Sequence, residues 1–259
     1  IPPSTGEAKV LGFTPFDRKP EFLRQISLLL GQKNQLWWDL SPSDSFQLLG
    51  DIYNLEPGIA KKRSLELADI LDAKHVLNTQ LRRLSLGERM KMELIGSLLH
   101  EPKVLFLDEP TIGLDIVAQS KIRQFLLHYV HEKQPTIILT SHYMDDIAQL
   151  ASQLLLMSQG NIVYNGSVNE FLSKNEERQK IKFALSKPLE KELKIQIPTG
   201  AAITLRQGQQ EFEIEIEKKL LPMVLNYITQ LPGLMDLKFE EVNFENVIHR
   251  FLQKELRLS

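Results

Sequence analysis

The chain has 259 residues, 42% of them hydrophobic and 25% charged, an ordinary balance for a globular protein. At about 150 residues per domain this length holds one large domain or two small ones. Lys and Arg total 31 against 33 for Asp and Glu, so no global field draws the chain to DNA, RNA or an acidic membrane, and no nucleic acid is expected as a partner. Cysteine is absent, which excludes disulfides, thiolate metal sites and cysteine nucleophiles. Apolar runs such as Leu154 to Met157 are far shorter than the ~20 residues of a membrane span.

In chain order, Glu7 to Phe13 alternates weakly around Gly12 and predicts a short strand. A helix follows near Pro20 to Gln25, and the apolar run Ile26 to Leu30 reads as a buried strand. The polar loop Gly31 to Trp38 carries both tryptophans, which either cap a core edge or anchor a partner. From Ser41 to His100 the pattern is helical. Ser41 is an N-cap candidate ahead of Pro42 and Asp44, and Phe46, Leu48, Leu49, Ile52 and Tyr53 recur behind it. A second helix carries Leu65, Leu67, Ile70 and Leu71. A third begins after Ser85, with Leu86, Met90, Leu94 and Leu98 on one face.

The pattern then changes. Val104 to Leu107, Thr136 to Leu139 and Leu154 to Met157 are short apolar runs separated by helical stretches (Ile116 to Val130, Tyr143 to Leu150). Such alternation predicts a parallel sheet covered on both sides. Gln159-Gly160-Asn161 turns into Ile162 to Tyr164 as an edge hairpin. Residues 173–182 read as a linker. Beyond it comes a strand, strand, helix, strand, helix order, with Ile203 to Leu205 and Phe212 to Ile216 as a hairpin and Leu220 to Leu231 helical despite Pro222.

Asp108 and Glu109 stand where the strand Val104 to Leu107 emerges. Ligands of parallel sheets bind at that end; one carboxylate there can hold Mg²⁺ through water and its neighbour can deprotonate an attacking water. The alternative is a solvated acidic turn. Ser85 caps a helix whose first N–H groups lack internal partners, an end that binds phosphate; Gly87 lets an anion approach, and Glu88 favours the first turn. An ordinary capped helix has the same residues. Thr140-Ser141-His142 ends the next strand, where a histidine can hydrogen-bond a γ-phosphate. The other histidines have no such setting.

Taken in order, Gln32, the helical segment, Leu84-Ser85-Leu86-Gly87-Glu88, Leu107-Asp108-Glu109-Pro110, Leu114-Asp115 and Ser141-His142 resemble the ATP-binding subunit of ABC transporters. In that family these are the Q-loop, signature motif, Walker B strand, D-loop and switch histidine. The wording Gly31-Gln32 through Trp37-Trp38-Asp39-Leu40 is similar to the drug-resistance (daunorubicin-type) exporters. The resemblance covers about residues 1–166. It departs at Leu86 and Glu88, where the family usually has Gly and Gln. No Gly-x-x-x-x-Gly-Lys-Ser/Thr loop occurs in the chain, and the sequence also lacks an initiator Met and a secretion signal. The expectation is therefore a fragment beginning just past the P-loop helix, inactive by itself.

The resemblance implies an α/β fold: a P-loop NTPase-like cassette core, its parallel sheet flanked by helices and its P-loop strand and helix missing. An all-helical subdomain spans about 41–100, the cassette 1–172, and a small C-terminal α+β appendage 183–259. It further implies ATP and Mg²⁺, with Asp108 and Gln32 toward the metal, Glu109 as general base and His142 at the γ-phosphate. Gln32 senses that phosphate, Ser85 and Gly87 serve the nucleotide of a second, head-to-tail subunit, and Asp115 lines the seam. The implied partners are that second subunit and membrane permease subunits, at the cytoplasmic face of the inner membrane. Rival expectations are a soluble ATPase acting on ribosomes or nucleic acid and a non-catalytic binding subunit.

Overall fold

The computed structural model describes residues 2–31, 33–175, 178–186, 210–240 and 244–258. Two compact units divide the chain, Ile1–Ala151 and Ser152–Ser259. In the first unit, residues 7–13 form no strand. Val10 and Phe13 make one isolated bridge, because Leu11 and Gly12 both take positive φ and turn the chain back at once. Helix α1 (Pro20–Leu23) then leads into β1 (Ile26–Leu30).

Helix α2 (Pro42–Ile52) starts as expected, with the Ser41 hydroxyl accepting the Asp44 N–H at 3.2 Å. It packs closely on α3 (Ile59–Ile70): a β-carbon at Gly50 would lie 2.8 Å from that of Ala60. Within α3 the buried positions are Ala60, Ser64 and Ala68, since only small side chains fit against α2. Of the four apolar residues expected in this helix, Leu71 is buried and Leu67 packs against the core, while Leu65 and Ile70 are exposed. Helix α4 (Leu86–Leu98) buries Met90, Leu94 and Leu98, with Leu86 exposed at its start.

Next come β2 (Val104–Asp108), α5 (Ile116–Lys133), β3 (Thr136–Thr140) and α6 (Met144–Leu150). The three strands form a parallel sheet in the order β1-β2-β3. Leu30 aligns with Asp108 and Asp108 with Thr140, so all three carboxyl ends finish at one level. Two expectations for this sheet are corrected. Leu154 to Met157 does not join it, but lies in β4 (Gln153–Ser158), which pairs antiparallel with β5 (Asn161–Ser167). Nor is β3 covered on both sides: Thr136, Ile138 and Thr140 face outward in alternation, and Leu28 in the same row as Ile138 is also exposed. An apolar run does not disclose which of its faces is covered.

Leu29, Phe46, Leu94, Ile95, Leu105, Leu107, Phe125 and Leu126 belong to a single buried cluster. The helical segment and the sheet thus share one core, which fixes α4 to the strands.

In the second unit, Gln159 and Gly160 both adopt positive φ, the turn that suits the twist of a two-residue hairpin between β4 and β5. Helix α7 (Val168–Asn175) follows. Phe171 lies edge-on to Tyr164 and Phe251, with centroids 4.8 and 5.2 Å apart, joining the hairpin, α7 and α9 (Phe244–Leu258). The expected linker is corrected here: β6 (Arg178–Leu185) is the middle strand of an antiparallel sheet ordered β7-β6-β8. Its lysines mark a solvent face, while Ile181 and Phe183 alternate with them into a core with Ile214, Ile216, Val224 and Ile228. β7 (Glu211–Glu217), α8 (Leu221–Thr229) and β8 (Leu234–Glu240) complete the α+β set. The strand expected at Ile203 to Leu205 lies outside the described residues.

Candidate active site

The level strand ends bring Gly31, Asp108, Glu109, Thr140, Ser141 and His142 to one edge of the sheet. Asp108 closes β2, and its carboxylate accepts the Thr140 hydroxyl at 2.7 Å. Glu109 then takes φ +53°, a left-handed conformation that costs a non-glycine residue ~1–2 kcal/mol. Neighbouring strands hold it there. Its N–H donates to the Thr140 carbonyl at 3.1 Å, and its carboxylate accepts the His142 N–H at 2.9 Å. The His142 ring nitrogen Nε2 lies 3.4 Å from Glu109 Oε1, with the imidazole 81% exposed and the glutamate side chain 16% exposed. A largely sheltered carboxylate beside an open imidazole can take a proton from water and orient a polar ligand together with the ring.

Gly31 abuts the same turn. Its N–H donates to the Asp108 carbonyl at 2.7 Å, and a β-carbon there would overlap the Glu109 carbonyl oxygen. Gln32, the next residue, lies outside the described residues. Among those described there is no group of three or more His, Cys, Asp or Glu able to hold a metal ion. The oxygen donors that remain suit Mg²⁺, because Asp108 keeps an exposed carboxylate at the mouth of the site and Mg²⁺ needs only one or two carboxylates plus water and phosphate.

Ser85, Gly87 and Asp115 form a second group, where α4 and α5 begin side by side. A β-carbon on Gly87 would stand 3.6 Å from that of Ala118, and the Asp115 carboxylate caps α5 by accepting the Ala118 N–H at 2.8 Å. Ser85 and Glu88 make a reciprocal capping box. The Ser85 N–H and hydroxyl donate to Glu88 Oε2 at 2.9 and 2.8 Å. Those bonds hold the Glu88 carboxyl below its ordinary value, helped by His75 nearby. An anion approaching Ser85 thus meets a carboxylate that already uses both donors.

Sequence reasoning missed two buried carboxylates that brace these loops. Glu93 on α4 accepts the backbone N–H groups of Gln35 and Leu36 at 3.0–3.3 Å, fixing the loop after Gln32; burial raises its carboxyl, partly offset by those N–H groups. Asp146, fully buried, pairs with Arg123 and receives the Thr111 and Ser141 hydroxyls. The pair Asp145-Asp146 reads as a helix start, and nothing in it separates the exposed carboxylate from the buried one.

The ABC transporter family matches residues 1–112, ending just past the Asp108-Glu109 turn. The similarity to that family therefore lies in the first 112 residues. It is 28% identical over 168 residues to the ABC transporter ATP-binding protein NatA of Bacillus subtilis, covering 65% of this chain and 68% of that one. Against the bacitracin transport ATP-binding protein BcrA of Bacillus licheniformis it is 27% identical over 187 residues, 72% of this chain and 59% of the relative. The linearmycin resistance ATP-binding protein LnrL of Bacillus subtilis is 25% identical over 174 residues, 67% of this chain and 55% of the relative. The chain thus spans from 55% to 68% of the length of these relatives.

Two solved structures share the cassette fold. The structure of an ATP-binding subunit of an ABC transporter superposes with TM-score 0.59 at 19% identity, covering 66% of this chain and 71% of the other. CbiO1 from Clostridium perfringens, part of the ABC transporter complex cbiONQ, gives 0.53 at 26% identity, over 60% and 61% of the two chains. The ABC cassette assignment accounts for the fold class expected from sequence. Among the described residues no helix is long and apolar enough to cross a membrane.

Proposed function

We propose that this chain is the ATP-hydrolysing subunit of an exporter, acting on a membrane permease from the cytoplasmic side as one half of a head-to-tail pair. The match of residues 1–112 to the ABC transporter family and the ATP-binding relatives support ATP as the substrate. The bacitracin-transport and linearmycin-resistance names of the relatives support outward movement of a toxic cargo. The observation that carries the catalytic part is the Glu109–His142 junction beside Asp108, formed by adjacent strand ends.

In this reading Glu109 takes a proton from the attacking water, and its backbone bonds to Thr140 and its contact with His142 set the direction of approach. His142 presents its exposed ring toward the terminal phosphate. Asp108, with Gln32, would hold Mg²⁺, which neutralises phosphate charge when bound. Gly87, at the start of α4 where helix N–H groups without internal partners favour an anion, and Ser85, once its hydroxyl leaves Glu88, would meet the second subunit's nucleotide, with Asp115 beside them at the seam. Closure of the pair around ATP shifts a two-state equilibrium that the permease reads.

In the gene's full-length product, Glu109→Gln should lower ATP turnover about 10²–10⁴-fold while equilibrium binding of ATP persists. Unimpaired phosphate release by that variant would remove Glu109 as the base. Ser85→Ala should weaken ATP-driven pairing measured by light scattering. If the mass of its ATP-bound form matches wild type, the α4 terminus does not serve a second subunit's nucleotide.

A further inference from the structure

We propose that Asp146 is a positioning residue that locks the loop after Glu109 to the loop before His142, so that base and histidine act as one preformed unit. The inference rests on the catalytic reading of Glu109 and His142 given above.

Asp146 lies in the first turn of α6 and is fully buried. One carboxylate oxygen, Oδ1, accepts from Arg123 Nη1 of α5 at 2.8 Å. The other, Oδ2, accepts two hydroxyls: that of Ser141 at 2.8 Å and that of Thr111. Thr111 is itself fully buried and stands two residues after Glu109. Ser141 immediately precedes His142, and its oxygen also accepts the Tyr143 N–H at 3.0 Å, so the hydroxyl clasps the histidine from both sides. One carboxylate oxygen therefore ties together the two chain segments that carry the reacting groups.

Chemistry alone would not hold those segments in place. The His142 ring is almost free in solvent and meets Glu109 only at the long 3.4 Å ring contact and through one backbone bond. An exposed contact of that kind is weak and easily broken. A buried carboxylate with a guanidinium and two hydroxyls is the opposite case, because Asp146, Arg123 and Thr111 are all buried and would lose their partners in the interior if they moved apart. Such buried contacts hold the two segments in one arrangement even though Arg123 Nε has no partner, and misplacing reacting groups by about 1 Å can cost about 10²-fold in rate.

Removing the carboxylate would strand the buried Arg123 charge, so Asp146→Ala tests folding as much as positioning. The informative variants are Ser141→Ala and Thr111→Val, which cut one hydroxyl link each and leave the ion pair intact. In the full-length protein each should lower kcat for ATP hydrolysis about ten- to hundredfold, with KM and the ATP dissociation constant within about twofold. In a Glu109→Gln background, followed by single-turnover hydrolysis, the Ser141→Ala effect should vanish, because there is no longer a base to position. A purely structural role predicts the same fractional loss in both backgrounds, and that result overturns the proposal. Unchanged kcat in Ser141→Ala together with a crippled Glu109→Gln overturns it too, leaving the catalytic reading intact. Full turnover in Glu109→Gln alone sinks the catalytic reading and the proposal with it.

Discussion

Gly31 shows how a single side chain sets the site. The strand ends come so close that the smallest β-carbon at this position would enter the carbonyl of Glu109, a residue already held at positive φ. Gly31→Ala should therefore push the Glu109 turn off its bonds to Thr140, lowering ATP turnover in the full-length protein more than it lowers the melting temperature. Equal turnover in the variant, measured by phosphate release, would mean that the turn has slack at this point. Sequence could indicate a break after Leu30 but not the reason for glycine, since the Glu109 carbonyl stands across the sheet from it. The placement of Asp108, Glu109 and His142 at strand ends was legible because each follows an apolar run. Asp146 was not, because burial is a property of the packing around α6.

At the scale of elements, α4 is the most constrained. Its start is capped by Ser85 and Glu88, both readable from the sequence as a helix N-terminus. Its middle is pinned by Glu93, whose carboxylate spans to the backbone of Gln35 and Leu36, a contact no local pattern reveals. Burial raises the Glu93 carboxyl above its ordinary value, so the folded chain keeps that proton to higher pH than the unfolded chain does. The stability this group contributes is fully present below about pH 4.3, the ordinary glutamate value, and is lost as pH rises through the folded value. Glu93→Gln keeps an acceptor and has no proton to lose. The urea midpoint of wild type relative to this variant should thus fall between acid and neutral pH, and a constant difference would contradict the role of burial. The apolar residues expected in α3 divide at this scale: Leu67 and Leu71 reach the core while Leu65 and Ile70 stay exposed, because the close approach at Gly50 and Ala60 admits only small residues between α2 and α3.

Among the described residues, one hydrophobic cluster lies around Leu105 in the first unit and another around Ile181 in the second. Leu105 is completely buried in the middle of β2, between the helical segment and the strand ends. Leu105→Ala should cost ~2–5 kcal/mol, read as a lower denaturation midpoint of the first unit, with far-ultraviolet circular dichroism of the native state unchanged. A loss below about 1 kcal/mol would mean that the core collapses around the gap, as cores sometimes do. The expected division of the second half fared less well. A lysine-rich stretch looked like a linker because β6 alternates charge with Ile181 and Phe183, and only its pairing with β7 and β8 shows which of the two patterns wins.

What the amino-acid order determined by itself was local: helix starts at Ser41 and Ser85, apolar strands ending in Asp108 and Thr140, and a motif order that resembles one family. These follow from hydrogen-bonding and hydrophobic patterns within a few residues. The tertiary structure decided everything that depends on residues far apart in the chain. It set the level of the strand ends, placed Gly31 against Glu109, exposed one row of β3 and buried Asp146 among Arg123, Thr111 and Ser141. Those outcomes depend on desolvation and close contact, and both arise only when distant segments exclude water together.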